Sequence, residues 1–151
     1  MVRTKNRYIV VQIDDQGANG QDKGSAVFKG QSIQNAIIHH VLQMHGDFGF
    51  AAVKAALTVK YINERTRIAI IRCRHGPHKL VSSVLPLVNL LDTKRVQLTI
   101  IYTGATIRQC LICIISYQQR KFEEFCIGIK TEEEKCELKE QIMKLENLGR
   151  I

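Results

Sequence analysis

The sequence predicts an α/β (α+β) sandwich in βαββαβ order: an RNA-recognition-like or ferredoxin-like antiparallel sheet with extra helices at its C-terminal side. Three observations carry this. Apolar runs with strand character alternate with amphipathic helical stripes in that order. The two middle runs are joined by only Asn63-Glu-Arg-Thr66, a hairpin length. A chain of 151 residues with 45% hydrophobic and 24% charged side chains suits one domain with a proper core. With right-handed crossovers, that order lays two helices across one face of the sheet.

The first strand is predicted over Tyr8–Ile13, between a basic arm and Asp14-Asp15. Residues 14–30 read as a loop, broken by Gly17, Gly20, Gly24 and Gly30. A helix follows: Ile33, Ala36, Ile37, His40, Val41 and Met44 form its stripe, Ser32 is its expected N-cap, and Gly46 lies past its end. After the bend His45–Gly49, Ala51–Ala56 reads as a helical turn. Strands are expected over Leu57–Ile62 and Arg67–Arg74. Pro77–Leu91 reads as a second helix, with Pro86 kinking or shortening it. The fourth strand, Val96–Thr103, is expected to put Val96, Leu98, Ile100 and Tyr102 on one face. A third helix opens near Thr106, its buried stripe marked by Ile107, Cys110, Leu111, Ile114 and Ile115. The last helix opens at Thr131–Glu134 with capping-box spacing; Leu138, Ile142 and Leu145 line one side and Gly149 stops it. Residues 1–122 are thus expected to form the sandwich domain and residues 123–151 an amphipathic helical extension.

Charge separates these parts. Of 22 Lys and Arg and 14 Asp and Glu, residues 1–122 hold 17 and 6, and residues 123–151 hold 5 and 8. A basic body with a mildly acidic tail points to a polyanionic partner, most often nucleic acid. The apolar run after the N-terminal basic residues is too short for a signal peptide, and no run reaches membrane-span length, so no membrane partner is expected. Five cysteines, 73, 110, 113, 126 and 136, lack a disulfide framework's spacing and fit a reducing compartment, cytosol or nucleus.

Catalytic and metal chemistry find little support. Cys110-Leu-Ile-Cys113 has no second ligand pair for zinc and falls within an apolar stripe, so buried structural cysteine is the expectation. His39, His40, His45, His75 and His78 suit capping or hydrogen bonding. There is no nucleophile elbow, phosphate-binding loop or dinucleotide fingerprint, and Asp14-Asp15 more simply solvates a loop. No catalytic or metal-ligating residues are therefore predicted. The basic clusters are the informative feature. Arg3, Lys5 and Arg7 lead into the first strand, and Arg72 and Arg74 share one strand face. Arg108 occupies a helix's first turn, where a cation is disfavoured unless an anion docks on the free N–H groups near Thr106. The third strand carries no aromatic, so recognition through phosphates and RNA shape is expected instead of base stacking, leaving the aliphatic sheet face free to meet a protein.

Five segments occur in register: Met1-Val-Arg-Thr-Lys-Asn-Arg-Tyr8, His45-Gly-Asp-Phe-Gly49, Val59-Lys-Tyr-Ile-Asn63, Ile70-Ile-Arg-Cys-Arg74 and Gly104-Ala-Thr-Ile-Arg-Gln-Cys110. Through them, residues 1–122 resemble the Pop-five type protein subunits of ribonuclease P and ribonuclease MRP. The resemblance implies a non-catalytic subunit of a ribonucleoprotein that removes 5′ leaders from precursor tRNA and, as ribonuclease MRP, processes rRNA. The catalytic Mg2+ ions would then be held by the RNA, with no cofactor on the protein. The implied partners are the ribonuclease P or MRP RNA, precursor tRNA through the holoenzyme, the Rpp-thirty type subunit and other subunits; the implied location is the nucleus and nucleolus. Carried onto this chain, the RNA-binding candidates are Arg3, Lys5, Arg7, Thr106 and Arg108, with Arg72 and Arg74, and the partner-binding candidates are Phe48 and Phe50. Two other readings stand beside this one: a protein–protein adaptor whose last helix is the main interface, and a small metal-dependent nuclease, which the lack of clustered carboxylates disfavours.

Overall fold

A computed structural model describes residues 3–16, 28–64, 66–127 and 132–143. Strand β1 (Asn6–Asp15) is followed by helix α1 (Gly30–Lys54), then strands β2 (Thr58–Asn63) and β3 (Ile68–Arg74). Helix α2 (His78–Val84) runs into a 3-10 turn, Leu85–Leu87. Strands β4 (Leu90–Leu91) and β5 (Lys94–Gly104) precede helices α3 (Ile107–Cys126) and α4 (Glu132–Met143). The sheet order is β2-β3-β1-β5-β4, antiparallel at every pairing. Setting aside the two-residue β4, this is the expected βαββαβ sandwich.

Strand β1 is the central strand, and Ile9, Val10, Val11 and Ile13 are buried on both of its faces. On one face Ile9, Val11, Ile13, Ala69, Ile71 and Leu98 meet Ile33, Ile37 and Val41 of α1 and Val81 and Val84 of α2. On the other, Val10, Tyr61, Ile68 and Ile70 meet Cys110 and Ile114 of α3, with Tyr8 and Tyr102 packed around them. Helix α3 therefore covers the sheet face that was expected to be free for a protein. The reason is area: a sheet with aliphatic residues on both faces gains most when both are removed from water.

Several local expectations are corrected. Helix α1 starts at Gly30, its N-cap position is Lys29 without a side-chain bond, and Ser32 lies inside it. The bend near Gly46 is a kink between abutting helical segments, with Gly46 at φ 64° and ψ −162°, a conformation open mainly to glycine. The second helix stops at Val84 because Pro86 cannot continue it, and Leu90–Leu91 becomes a short edge strand beside β5. Val10 pairs with Tyr102 but Val11 with Ile100, so Ile101 is an extra residue. This bulge turns Tyr102 to the α3 side, while Ile100 stays with the α1 and α2 core. Ile115, expected in the α3 stripe, is exposed. Helix α4 forms as predicted over 132–143; Thr131, Leu145, Gly149, Arg65 and Gly17, Gly20 and Gly24 lie outside the described residues.

Candidate nucleic-acid interface

One end of the sheet gathers the basic residues predicted from the sequence. Antiparallel pairing sets Asn6 against Arg74, Arg7 against Cys73 and Tyr8 against Arg72, so the start of β1 lies beside the end of β3. Tyr8 also pairs with Gly104, which brings the end of β5, and hence the start of α3, to the same place. Two thiols fasten this end from opposite faces: Cys73 Sγ donates to the Arg7 carbonyl and Cys110 Sγ to the Tyr8 carbonyl, each at 3.7 Å. Burial pushes both thiols up to about 11, only partly offset by Arg7 for Cys73 and by the Gly104 backbone for Cys110. They serve as neutral donors.

Around this frame the predicted residues fall into three positions. Arg3 and Lys5 extend from the arm and are exposed. Arg72 and Arg74 continue the face of Ile68 and Ile70, and so share the α3 side of the sheet with Thr106 and Arg108. Arg7 turns to the α1 and α2 side: its charge acts on Cys73 and on His78, and its Nη1 donates to the Asn6 carbonyl at 3.0 Å. Thr106 caps α3, its Oγ1 accepting the Gln109 N–H at 3.4 Å. Helix geometry leaves the N–H groups of Ile107 and Arg108 without intrahelical acceptors, beside the exposed Arg108 side chain.

Among the described residues, none of Arg3, Lys5, Arg7, Arg72, Arg74 or Arg108 pairs with a carboxylate; the two ion pairs are Lys121–Glu124 and Lys135–Glu132, on α3 and α4. Arg72 Nε is shielded from water and has no hydrogen-bond partner among the described residues. Four carboxylates of the body lie elsewhere. Asp14 and Asp15 end β1 opposite Gln97 and Val96, Glu64 sits in the β2–β3 turn, and Asp92 in the β4–β5 turn, all at the far end of the sheet. Arg67, Lys94 and Arg95 share that far end, which therefore mixes both signs of charge.

Phe48 and Phe50 are not part of this cluster. They follow the kink in α1, on the side of the sheet away from Arg72 and Arg74. Phe48 is 82% exposed. Phe50 is half-buried, with Lys54 Nζ 4.8 Å from its ring centroid, a cation–π contact. Lys79, which the sequence reading passed over, opens α2 at the basic end; its place in the turn after β3 was the available signal.

The histidines do hydrogen-bonding work in the fold. His40 Nδ1–H donates to the Ala36 carbonyl at 2.9 Å, and His45 Nε2 bonds Ser83 Oγ at 2.9 Å. Among the described residues no group of three or more His, Cys, Asp or Glu is placed to hold a metal ion, and no helix is long and apolar enough to cross a membrane.

Fold and charge together define an RNA-recognition-like α+β domain whose sheet is covered on both faces and which gathers the predicted basic residues at one end of the strands. Residues 7–115 match the model of the Rpp14/Pop5 family. Ribonuclease P/MRP protein subunit POP5 of Danio rerio is 29% identical over 149 residues, 95% of this chain and 86% of that protein. Its namesake in Mus musculus is 30% identical over 125 residues, 80% of this chain and 72% of that protein. A chain in the cryo-EM structure of yeast ribonuclease MRP shares the fold, with a TM-score of 0.54 at 13% identity, covering 85% of this chain and 99% of that one. The chain belongs to the Rpp14/Pop5 family.

Proposed function

We propose that this chain is a non-catalytic protein subunit of the ribonuclease P and ribonuclease MRP ribonucleoproteins, where it binds and stabilises the catalytic RNA core. The observation that carries this is the basic end of the sheet: Arg3, Lys5, Arg7, Arg72, Arg74 and Arg108 gathered without carboxylate partners among the described residues, away from Asp14, Asp15, Glu64 and Asp92. A compact RNA brings phosphates closer than their repulsion allows, and fixed cations offset that repulsion without carrying sequence information. The arm and the Thr106–Arg108 turn supply charge on a rigid frame, so they favour one RNA shape over an expanded ensemble. The names of the relatives support assigning the RNA as that of ribonuclease P or MRP. In this reading 5′-leader removal from precursor tRNA, and rRNA processing through ribonuclease MRP, proceed at Mg2+ ions held by the RNA. The exposed Phe48, with Phe50, is the contact for a protein subunit of the Rpp-thirty type, in the nucleus and nucleolus.

Crosslinking of the endogenous protein to RNA in cells, followed by sequencing, tests the proposal. Enrichment of ribonuclease P or MRP RNA near its catalytic core is expected, with crosslinked peptides from the arm and the 104–110 segment. Recovery of protein subunits without RNA would replace the RNA scaffold with a protein adaptor.

A further inference from the structure

The turn between β3 and α2 carries two imidazoles at the basic end. The rings of His75 and His78 stack with centroids 5.2 Å apart and planes 21° from parallel. The turn is fastened to the N-terminal arm, because the His75 N–H donates to the Lys5 carbonyl at 2.8 Å. Gly76 takes φ +102°, and among the described residues beyond its chain neighbours no atom stands within 4 Å of where a Cβ would be, so that side of the turn is open. The Gly76 N–H donates to His78 Nδ1 at 3.1 Å. That bond makes Nδ1 the acceptor and puts the proton of the neutral ring on Nε2.

Among the described residues, the surroundings supply no counter-charge. Desolvation first, then the charges of His75, Arg7 on β1 and Lys79 on α2, hold the His78 imidazole below its ordinary value, and no carboxylate is among the groups acting on it. Cys73, behind the turn on β3, stays a neutral thiol because burial pushes it up to about 11. Such a cluster of donors and cations is completed by an anion.

Resting on the RNA-binding reading above, we propose that the His75–His78 pair is a phosphate-binding element of the RNA surface and takes up a proton as the RNA docks. The proton comes from solvent and enters at His78 Nδ1, the lone pair now occupied by the Gly76 N–H. The ring becomes an imidazolium, and the released Gly76 N–H becomes a further donor to the same phosphate. RNA affinity is therefore linked to pH, strengthening as pH falls through the histidine range.

The test measures binding of the full chain to a ribonuclease P RNA transcript at pH 6 and pH 8, at constant ionic strength. The unaltered protein is expected to bind roughly threefold to tenfold tighter at pH 6. His75→Gln with His78→Gln should lose that gain, binding no tighter at pH 6 than at pH 8. His78→Lys should bind tightly at both pH values, and His39→Gln with His40→Gln on α1 should keep the full gain. An unchanged gain in the His75 and His78 double variant, or no gain in the unaltered protein, overturns the inference and leaves the RNA-binding reading standing. No binding to the transcript at either pH overturns both.

Discussion

Gly104 is where β5, β1 and α3 converge, and its missing side chain is what lets them meet. A Cβ there would stand 2.7 Å from Tyr102 Cε1 and 3.2 Å from Cys110 Sγ. Gly104→Ala must push the tyrosine ring or the first turn of α3 outward, loosening the contact of Cys110 with the Tyr8 carbonyl. We expect a loss of about 1–3 kcal/mol in urea-induced unfolding, typical of overpacking. Gly104 opens one of the five segments that carried the resemblance, and its role was legible only as part of that segment. Nothing in the residue itself announces a close approach, because the neighbour that excludes a side chain arrives through the bulge at Ile101. Gln118 shows the opposite limit. It is 1% exposed on α3, its Nε2 is 3.5 Å from Thr66 Oγ1, and its Oε1 has no hydrogen-bond partner among the described residues. A glutamine in a helix reads as a surface residue until the helix is seen lying on a sheet.

At the scale of elements, the strands and helices with clear periods were readable and their junctions were not. Strands β1 and β3, the hairpin after β2 and helix α3 fall close to their predicted ranges because alternation and the 3.6-residue stripe report burial directly. Leu90–Leu91 was absorbed into a helix because two residues have no period. Tyr102 was assigned to the wrong face because a bulge inserts one residue and inverts the alternation beyond it. The docking of α3 on the second sheet face makes a chemical prediction. Cys73 and Cys110 lie under α2 and α3 with thiols held up at about 11, so at pH 8 their thiolate fraction is about one part in a thousand. The exposed Cys136 on α4 should therefore be alkylated by iodoacetamide first, with Cys73 and Cys110 protected until the protein unfolds. The sign of the linkage follows. A thiol whose folded value exceeds its ordinary 9.0 contributes stability that is complete below pH 9.0 and declines as pH rises toward 11. Unfolding transitions should hold steady from pH 8 to 9 and move to lower urea from pH 9 to 11.

Over the whole molecule, the net charge of +8 understates how unevenly the cations are placed. The basic balance was visible in the sequence, as was the pairing of Arg72 with Arg74 on one face. What the sequence did not disclose is that antiparallel register carries the arm, the end of β3 and the start of α3 to one end of the sheet and most of the body's carboxylates to the other. Under the proposed function this end would face RNA, while Phe48 on α1 is exposed on another side of the domain. The central claim is that the basic end makes the phosphate contacts. It is tested most directly by the salt dependence of binding to a ribonuclease P RNA transcript, comparing the unaltered chain with a variant carrying Arg3→Ala, Lys5→Ala, Arg74→Ala and Arg108→Ala. All four side chains are exposed, so the variant should unfold at the same urea concentration. The slope of log affinity against log salt should become shallower by about 3, reflecting four lost phosphate contacts. An unchanged slope in the folded variant would place the RNA contacts elsewhere and contradict the account.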